Sequence, residues 1–279
     1  MKGVFGSLLL LLLSARCALA APYVLSWLCL ERCGDNAAQI ASQLESLSVN
    51  STIFSAASFE DYNLGANSTL VKNDLTQVAG PIRQLGLETW AMVSSYPYPP
   101  EFLSWMRQVF ADPEPFIDAC LRAAAEEHLT GFNIDWEPTS AENVTAADAS
   151  AYAAFVQHFS QAMHAQGVKV SVDVATWSPI WDLPALAATD VDYLVTMGTY
   201  TANTTSFLHQ LDKALASVPV SKLVVGLECD EKDVGVLSQE ALAERFAALK
   251  ERGVGALGLW RMPVPDAWWP FLADFAAGK

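Results

Sequence analysis

The strongest constraint on how this chain can fold is a regular alternation of short β-rich runs with helical patterns. Eight β-rich runs are present, and segments with helically spaced apolar residues follow them. The predicted strands are Tyr23–Leu28, Thr52–Ala56, Glu88–Val93, Gly131–Asp135, Lys169–Ala175, Tyr193–Met197, Leu223–Leu227 and Ala256–Trp260. The clearest predicted helices are Asn36–Leu47, Glu114–Glu127, Ala147–Gln166, Gln239–Arg252 and Ala267–Ala277. The repeating unit is therefore one strand followed by one helix.

This repetition predicts a single α/β domain, a (β/α)8 TIM barrel, over residues 21–279. Barrels of this kind typically take about 250 residues. No low-complexity linker divides the chain, and no internal sequence repeat is visible. A doubly wound open sheet is the alternative, but no glycine-rich phosphate loop follows the first predicted strand. The barrel is therefore favoured.

Residues 1–20 have the pattern of a secretory signal peptide. Lys2 precedes the apolar run Leu8–Leu13, and Ala18–Ala20 has the small residues of a cleavage site. The apolar run is too short for a membrane span, which needs roughly 20 residues, although an uncleaved anchor is the alternative. We expect a monomer without a membrane anchor that is secreted or delivered to a lysosome-like or vacuole-like lumen.

The cysteines and asparagines fit an oxidising compartment. Cys29 and Cys33 are close enough in sequence to form a disulfide within one loop, and a metal site there would lack a nearby histidine. Cys120 and Cys229 are expected as free, buried thiols. Sequons for N-glycosylation begin at four asparagines, Asn50, Asn67, Asn143 and Asn203.

The charge of the chain limits its partners. The formal net charge is −15 at pH 7. Removal of residues 1–20 would take away the basic residues Lys2 and Arg16 and no acidic residue. This argues against nucleic acid or an anionic membrane surface as a partner and suits a neutral substrate. No group of residues has metal-ligand spacing, and no metal or cofactor is expected.

The stretch GFNIDWEP loads one side of a predicted buried strand with polar groups. Strand side chains alternate between faces, so Asn133, Asp135 and Glu137 share one side. In a barrel that side is the interior, and Glu137 reaches the C-terminal mouth where barrel enzymes hold their chemistry. Burying ionised carboxylates without partners is very unfavourable. The column therefore predicts a catalytic site, with a structural polar network as the alternative.

The same stretch resembles strand four of glycoside hydrolase family 18, the chitinases and their relatives. That strand has the pattern Asp-Gly-x-Asp-x-Asp-x-Glu, and this chain reads TGFNIDWE. Gly131, Asp135 and Glu137 match the pattern, whereas Thr130 and Asn133 replace its other two aspartates. An asparagine at the middle position is similar to the chitobiase members of the family.

Other predicted strands strengthen the resemblance. VSVDVATWSP, Val170–Pro179, resembles strand five of the chitobiase members, and KLVVG fits strand seven. GALGLW resembles the last strand, which ends in the tryptophan that forms the floor of the sugar site; here that residue is Trp260. Many members insert a small α+β domain between strands seven and eight, but the segment Gly226–Gly255 has no room for it. The cleft should therefore be more open.

The resemblance implies a glycosidase that cleaves β-linked N-acetylglucosamine in chito-oligosaccharides or N-glycan cores. The family uses a substrate-assisted, retaining mechanism, in which the 2-acetamido group of the substrate is the nucleophile. Glu137 would be the general acid, Asp135 would orient the acetamide, and Trp260 would support the sugar ring. Tyr200 would donate a hydrogen bond to the acetamide oxygen.

The tyrosine assignment has two versions. The family usually carries Met-x-Tyr-Asp at strand six, whereas this chain reads MGTYT from Met197. Either a one-residue bulge at Gly198 brings Tyr200 to the family position, or Thr199 occupies that position. The bulge is favoured because bulges are frequent beside active sites and glycine eases them.

The polar residues near Asp135 and Glu137 are expected to affect the protonation of these two acids or to contact the substrate. Asn133 is placed to donate an amide hydrogen bond to Asp135 and keep it ionised, and the Asp135 anion should raise the pKa of Glu137. Asp173 should face the interior, where a sugar contact and a structural bond are equally open. Glu228 is either a subsite ligand or an exposed residue.

Three further expectations concern substrate contacts and rival functions. Trp177 and Trp181 follow strand five and are candidates for stacking on sugars. A sugar-binding protein on the same barrel is the rival function, although lectin-like members typically lose the acid that Glu137 supplies. A hydrolase for a non-amino sugar would need a second carboxylate about 5–9 Å from Glu137. The candidates for that carboxylate are Asp173, Glu228 and Asp230.

Overall fold

The computed structural model describes residues 21–30, 32–73, 77–139 and 143–279. The predicted signal peptide, residues 1–20, lies outside the described residues. Within the described ranges, no helix is both long enough and apolar enough to cross a membrane.

Strands and helices alternate along the described chain. The strands are β1 (Tyr23–Leu28), β2 (Ala56–Gly65), β3 (Thr69–Lys72), β4 (Glu88–Ser94), β5 (Gly131–Asp135), β6 (Lys169–Val174), β7 (Tyr193–Thr196), β8 (Leu223–Glu228) and β9 (Ala256–Trp260). The helices are α1 (Ala37–Val49), α2 (Ala79–Gln84), α3 (Phe102–Ala111), α4 (Glu114–Glu127), α5 (Ala146–His164), α6 (Leu183–Ala187), α7 (Thr204–Ser217), α8 (Glu231–Val234), α9 (Gln239–Glu251) and α10 (Trp269–Ala276).

Eight of these strands close into a barrel. The ring runs β1, β2, β4, β5, β6, β7, β8, β9, and β9 pairs back with β1, all in parallel. β3 stays outside the ring and pairs antiparallel with the end of β2. Between β8 and β9 the chain forms only α8 and α9, without an inserted domain. The predicted (β/α)8 TIM barrel is therefore confirmed.

The side chains of β5 separate the outer core from the barrel interior. Phe132, Ile134 and Trp136 are fully buried on the outer side. The Trp136 ring stacks on Phe155 of α5 at 5.1 Å and meets the edge of Phe116 of α4 at 5.4 Å between ring centroids. The apolar base of the interior is formed by Leu25, Trp27, Ala56, Trp90, Met92, Val195, Val224 and Ala256. The polar side of β5 therefore faces the interior above this base.

The second strand is the element that the sequence misplaces. The predicted range Thr52–Ala56 ends where β2 begins. Residues before β2 form turns that follow α1, with the Ile53 amide donating to the Asn50 carbonyl at 2.9 Å. β2 itself carries the buried acids Glu60 and Asp61 in its middle. These acids break the apolar pattern by which a strand is recognised, and β3 was not predicted either.

The cysteines are arranged as expected. Cys29 and Cys33 form a disulfide with their Cα atoms 5.7 Å apart, and Cys120 and Cys229 are free and buried. Three of the sequon asparagines are exposed, namely Asn67, Asn143 and Asn203. Glycosylation at these positions and at Asn50 stays a prediction.

The outer aromatic core provides a test of the fold. Replacing the fully buried Trp136 with Ala should lower the free energy of unfolding by about 3–5 kcal/mol, because it removes ring contacts and leaves a cavity. Trp177 is 59% exposed, so Trp177→Ala is the matched control and should change stability by less than about 0.5 kcal/mol. Urea unfolding measures both. Equal losses in the two variants would contradict this packing.

Candidate active site

Four buried carboxyl groups from different strands meet at the C-terminal mouth of the barrel. Glu60 of β2, Asp135 of β5, Asp173 of β6 and Glu228 of β8 are each at most 5% exposed. Glu137 lies two residues beyond the end of β5, and its side chain is 21% exposed. Barrel closure thus brings acids together, and in the ionised form Asp135 would repel Glu60, Glu137 and Asp173.

One guanidinium lies among these acids. Arg32, in the loop after β1, donates hydrogen bonds to Asp135 and, at 3.2 Å, to Glu137 Oε1. Its Nε donates to Glu60 Oε1 at 3.4 Å, and its backbone amide donates to the other oxygen of the same carboxylate at 2.8 Å. The Tyr98 hydroxyl accepts a further bond from Arg32 at 2.7 Å. Three carboxylates therefore share one cation.

The acids of β5 have perturbed protonation. Burial and, to a smaller extent, the neighbouring Asp135 raise the pKa of Glu137 to about 7, although Arg32 and the Tyr98 hydroxyl oppose the rise. Burial also raises the pKa of Asp135, against the lowering effect of Arg32. Among the described residues, Asp135 Oδ1 is buried without a hydrogen-bond partner. This oxygen is an acceptor that a ligand entering the mouth can use.

Asn133 is bonded differently from the expectation. Its amide nitrogen donates to Asp173 Oδ1 at 2.8 Å and to Ser171 Oγ at 3.0 Å, rather than to Asp135. Its amide oxygen accepts from Trp27 Nε1 at 3.2 Å. Because the indole fixes the oxygen on one side, the nitrogen faces β6, where Ser171 is the register partner of Asn133. The expected bond to Asp135 was therefore wrong.

Asp173 faces the interior as expected and has a structural bond from Asn133. Burial raises its pKa well above the usual value, and Asp135 raises it further. The protonated form of Asp173 is therefore favoured, next to Asp135, whose ionised form Arg32 supports.

Tyr200 reaches the mouth through a turn rather than a strand bulge. β7 ends at Thr196, and the Tyr200 amide donates to the Met197 carbonyl at 2.9 Å. Thr199 turns its hydroxyl to the Gly226 carbonyl at 2.7 Å, so it does not replace the tyrosine. A Cβ on Gly226 would lie 2.7 Å from the Tyr200 ring, which therefore packs on that glycine.

The surroundings of Tyr200 agree with this position. Burial raises its pKa well above the usual value, and Asp173, Glu228 and Asp135 raise it further. The phenol therefore stays a hydrogen-bond donor throughout the physiological pH range. The effect of Asp135 on its pKa places the Tyr200 hydroxyl near the acids that follow along β5. The role of Tyr200 in a reaction stays a prediction.

Aromatic side chains flank the acids. Trp260 ends β9, and the Arg32 guanidinium carbon lies 5.1 Å from its ring centroid. Trp177 is 59% exposed and meets Trp181 edge-on at 5.6 Å, whereas Trp181 is only 5% exposed. Of these two tryptophans, Trp177 alone presents a ring to a ligand. Stacking by Trp181 was therefore wrongly expected.

A surface cleft joins the acid to the exposed tryptophan. The cleft has a volume of about 420 Å³ and is lined by Glu137, Tyr98 and Trp177, among others. Three larger cavities, of about 630, 580 and 480 Å³, are lined by neither Asp135 nor Glu137. The chemistry of the mouth therefore favours the smaller cleft as the ligand site.

Glu228 is buried, so the expectation that it could be exposed was wrong. It is 4% exposed, and one of its oxygens accepts from the Asp230 amide at 2.8 Å. Burial raises its pKa to about 8. Asp230 starts α8 and pairs with Arg261 at 3.0 Å, so it is engaged elsewhere. In the described part of the chain, no group of acids, histidines and cysteines is arranged to hold a metal.

Arg32, Glu60 and Tyr98 are the site residues that the sequence prediction missed. Glu60 was hidden because β2 itself was misplaced. Arg32 lies inside the predicted Cys29–Cys33 loop, which follows the first barrel strand and so faces the mouth. A basic residue in that loop was the one available signal.

Solved structures with the same fold include several chitinases. A chitinase from Chromobacterium violaceum has a TM-score of 0.74 and 18% identity, covering 93% of this chain and 100% of its own. The Bacillus megaterium spore cortex-lytic enzyme SleL has a TM-score of 0.75 and 13% identity, covering 91% of this chain and 73% of its own. An Ostrinia furnacalis Group IV chitinase in complex with allosamidin has a TM-score of 0.69 and 12% identity, covering 92% of this chain and 98% of its own.

Comparisons at the sequence level give no match. No protein-family model matches the chain, and no curated protein matches it. At identities of 18% and below, the structural likeness establishes the barrel fold. The function must therefore be argued from the residues of the mouth.

The raised pKa of Glu137 predicts a pH-dependent stability. Unfolded glutamate ionises near pH 4.3, roughly, whereas the folded group holds its proton up to about 7. The folded protein therefore binds more protons in that window and loses stability as pH rises through it. Glu137→Gln removes this loss. Its unfolding free energy, relative to wild type, should grow by about 3 kcal/mol across the window and then level off.

Urea unfolding at a series of pH values measures this difference. Glu240→Gln is the control, because Glu240 is exposed on α9 and its pKa is lowered by its own backbone amide and by Ser238. The control should show no such growth. A flat difference between Glu137→Gln and wild type across the window would contradict a raised pKa.

Proposed function

We propose that this protein is a glycosidase that cleaves β-linked N-acetylglucosamine in chito-oligosaccharides or in N-glycan cores. The observation that carries the proposal is Glu137, a carboxyl at the barrel mouth with a pKa of about 7. A general acid works best when its pKa lies near the operating pH. The chitinases among the structures with this fold support the same reaction class.

In the proposed reaction the substrate supplies its own nucleophile. Glu137 protonates the glycosidic oxygen while the acetamide oxygen attacks the anomeric carbon, which releases the leaving sugar and forms an oxazolinium ion. Water then opens the ion and returns its proton to Glu137. Asp135 accepts the acetamide N–H through its unpartnered Oδ1, Tyr200 donates to the acetamide oxygen, and Trp260 supports the apolar face of the sugar.

A reaction that uses two protein carboxylates has less support. It needs a second carboxylate, ionised at the working pH, about 5–9 Å from the acid. Burial raises the pKa of Asp173 well above its usual value and that of Glu228 to about 8, which disfavours the ionised form that this role needs. Asp230 is held by Arg261 at 3.0 Å. The acetamide route is therefore favoured.

A sugar-binding protein without catalysis is the second candidate, and one observation favours it. Arg32 pairs with Glu137 at 3.2 Å and opposes its protonation. A glutamate kept ionised in this way would bind a sugar hydroxyl but would not donate a proton.

We further propose that the protein works as a monomer outside the cell or in a lysosome-like lumen. The signal-peptide pattern of residues 1–20 and the four sequons support this location. The Cys29–Cys33 disulfide is also typical of an oxidising compartment.

Turnover of chito-oligosaccharides, with product sizes read by mass spectrometry, tests the proposal. Glu137→Gln should lower kcat by about 10²–10⁴, because the general acid is lost, while sugar binding is retained. Glu240→Gln, on the outside of the barrel, is the matched control and should keep wild-type turnover. Binding without any cleavage by the wild type would select the lectin-like alternative.

The acetamide route makes a separate prediction about substrate and stereochemistry. Matched oligomers of glucose, or oligomers deacetylated at the cleaved unit, should bind without being cleaved. The first product should be the β-anomer, because formation and opening of the oxazolinium ion are two successive inversions. Proton NMR shortly after mixing distinguishes the anomers. An initial α-anomer would exclude this route and indicate direct attack by water.

A further inference from the structure

The Arg32 guanidinium lies where the proposed reaction requires the sugar. Its carbon is 5.1 Å from the centroid of Trp260 and 5.8 Å from that of Tyr98, within the usual cation–π range. It also contacts Asp135 and Glu137, the two acids that the sugar has to meet. An oligosaccharide cannot contact the same ring face and the same acids while the guanidinium stays there.

The backbone that carries Arg32 is held firmly. Glu60 accepts the amides of Leu30 at 3.3 Å and of Arg32 at 2.8 Å. The Cys29–Cys33 disulfide closes the loop around these contacts. The Arg32 side chain, in contrast, is 15% exposed, and three methylene groups with rotatable bonds carry its guanidinium. Exchange can therefore take place by rotation of the side chain, without movement of the loop.

We propose that Arg32 occupies the place of the sugar in the unliganded protein and leaves it when an oligosaccharide binds. This inference rests on the proposed glycosidase function. Arg32 is then a positioning residue for the reaction. It holds Asp135 and Glu137 in position without substrate, and its departure frees them for the acetamide and the glycosidic oxygen.

The exchange changes the charge around Glu137. Arg32 and the Tyr98 hydroxyl lower the pKa of Glu137, with Arg32 the larger of the two, while burial and Asp135 raise it. When the guanidinium leaves, the pKa of Glu137 must rise above about 7, and the acid takes up a proton. The remaining titratable groups of the mouth are Glu60 of β2, Tyr98 after β4, Asp135 of β5, Asp173 of β6, Tyr200 after β7 and Glu228 of β8.

These remaining groups also favour a higher pKa of Glu137 after Arg32 leaves. Burial raises the pKa values of Asp173 and Glu228 and so favours their protonated forms. Asp135 stays beside Glu137 and disfavours a second anion. Binding of a neutral sugar should therefore take up protons above pH 7, and affinity should fall as pH rises there. Well below pH 7, where Glu137 is already protonated, affinity should depend little on this group.

Calorimetric titration with di-N-acetylchitobiose tests the exchange. Measurements in buffers of different ionisation heat, below and above pH 7, give affinity and proton uptake. Wild type should take up a proton above pH 7. Arg32→Gln should bind about tenfold more tightly and take up fewer protons, because the place is open and Glu137 is already protonated. Arg252→Gln, which removes an exposed ion pair with Asp212, should match wild type.

Arg32→Gln leaves Glu60 and Asp135 without their cation, so Arg32→Lys is the second variant. It keeps the charge and should bind with intermediate affinity. The wild-type measurement is decisive even if neither variant folds. Wild-type binding without proton uptake above pH 7 would overturn the exchange and leave the glycosidase proposal intact. Weaker binding by Arg32→Gln with unchanged proton uptake would also overturn it. Absence of binding by wild type would defeat both proposals.

Discussion

The shared guanidinium of Arg32 is the contact on which the arrangement of the barrel mouth depends. Asp135 and Glu60 are at most 2% exposed, and an ionised carboxylate at that depth is unfavourable without a cation. Arg32 supplies the cation to both and also contacts Glu137. Burial raises the pKa values of Asp173 and Glu228, which disfavours their ionised forms. One cation thus balances three of the five acids of the mouth.

The sequence predicts the parts of this site that are local in the chain. The alternation of side chains along β5 places Asn133, Asp135 and Glu137 on one face, and the barrel turns that face inward. Contacts across the barrel are not encoded in any such pattern. Arg32 meets Asp135 from 103 residues away, and Trp27 fixes the amide of Asn133 from 106 residues away. The bond direction of Asn133 was mispredicted for this reason.

β2 shows a related limit. Its inward positions include Glu60, which accepts the backbone amides of Leu30 and Arg32 but disrupts the apolar signal of a buried strand. The β-branched and aromatic residues that precede β2 carry that signal instead. At such positions, the polar residues that a functional strand carries interrupt the apolar pattern by which a buried strand is recognised.

Displacement of the Arg32 guanidinium costs free energy. The contacts that can offset this cost lie outside the position that the guanidinium occupies. A sugar that packs on Trp260 replaces the contact of Arg32 with this ring. It also leaves Asp135 without its cation. Binding energy from more distant sugar units can offset that loss. The cleft that holds Glu137 extends to Trp177, whose ring is 59% exposed and rests on Trp181. Under the proposed exchange, stacking of a second sugar on Trp177 would couple occupation of the outer cleft to release of Arg32. A longer oligosaccharide would then raise the pKa of Glu137, whereas a single sugar would not.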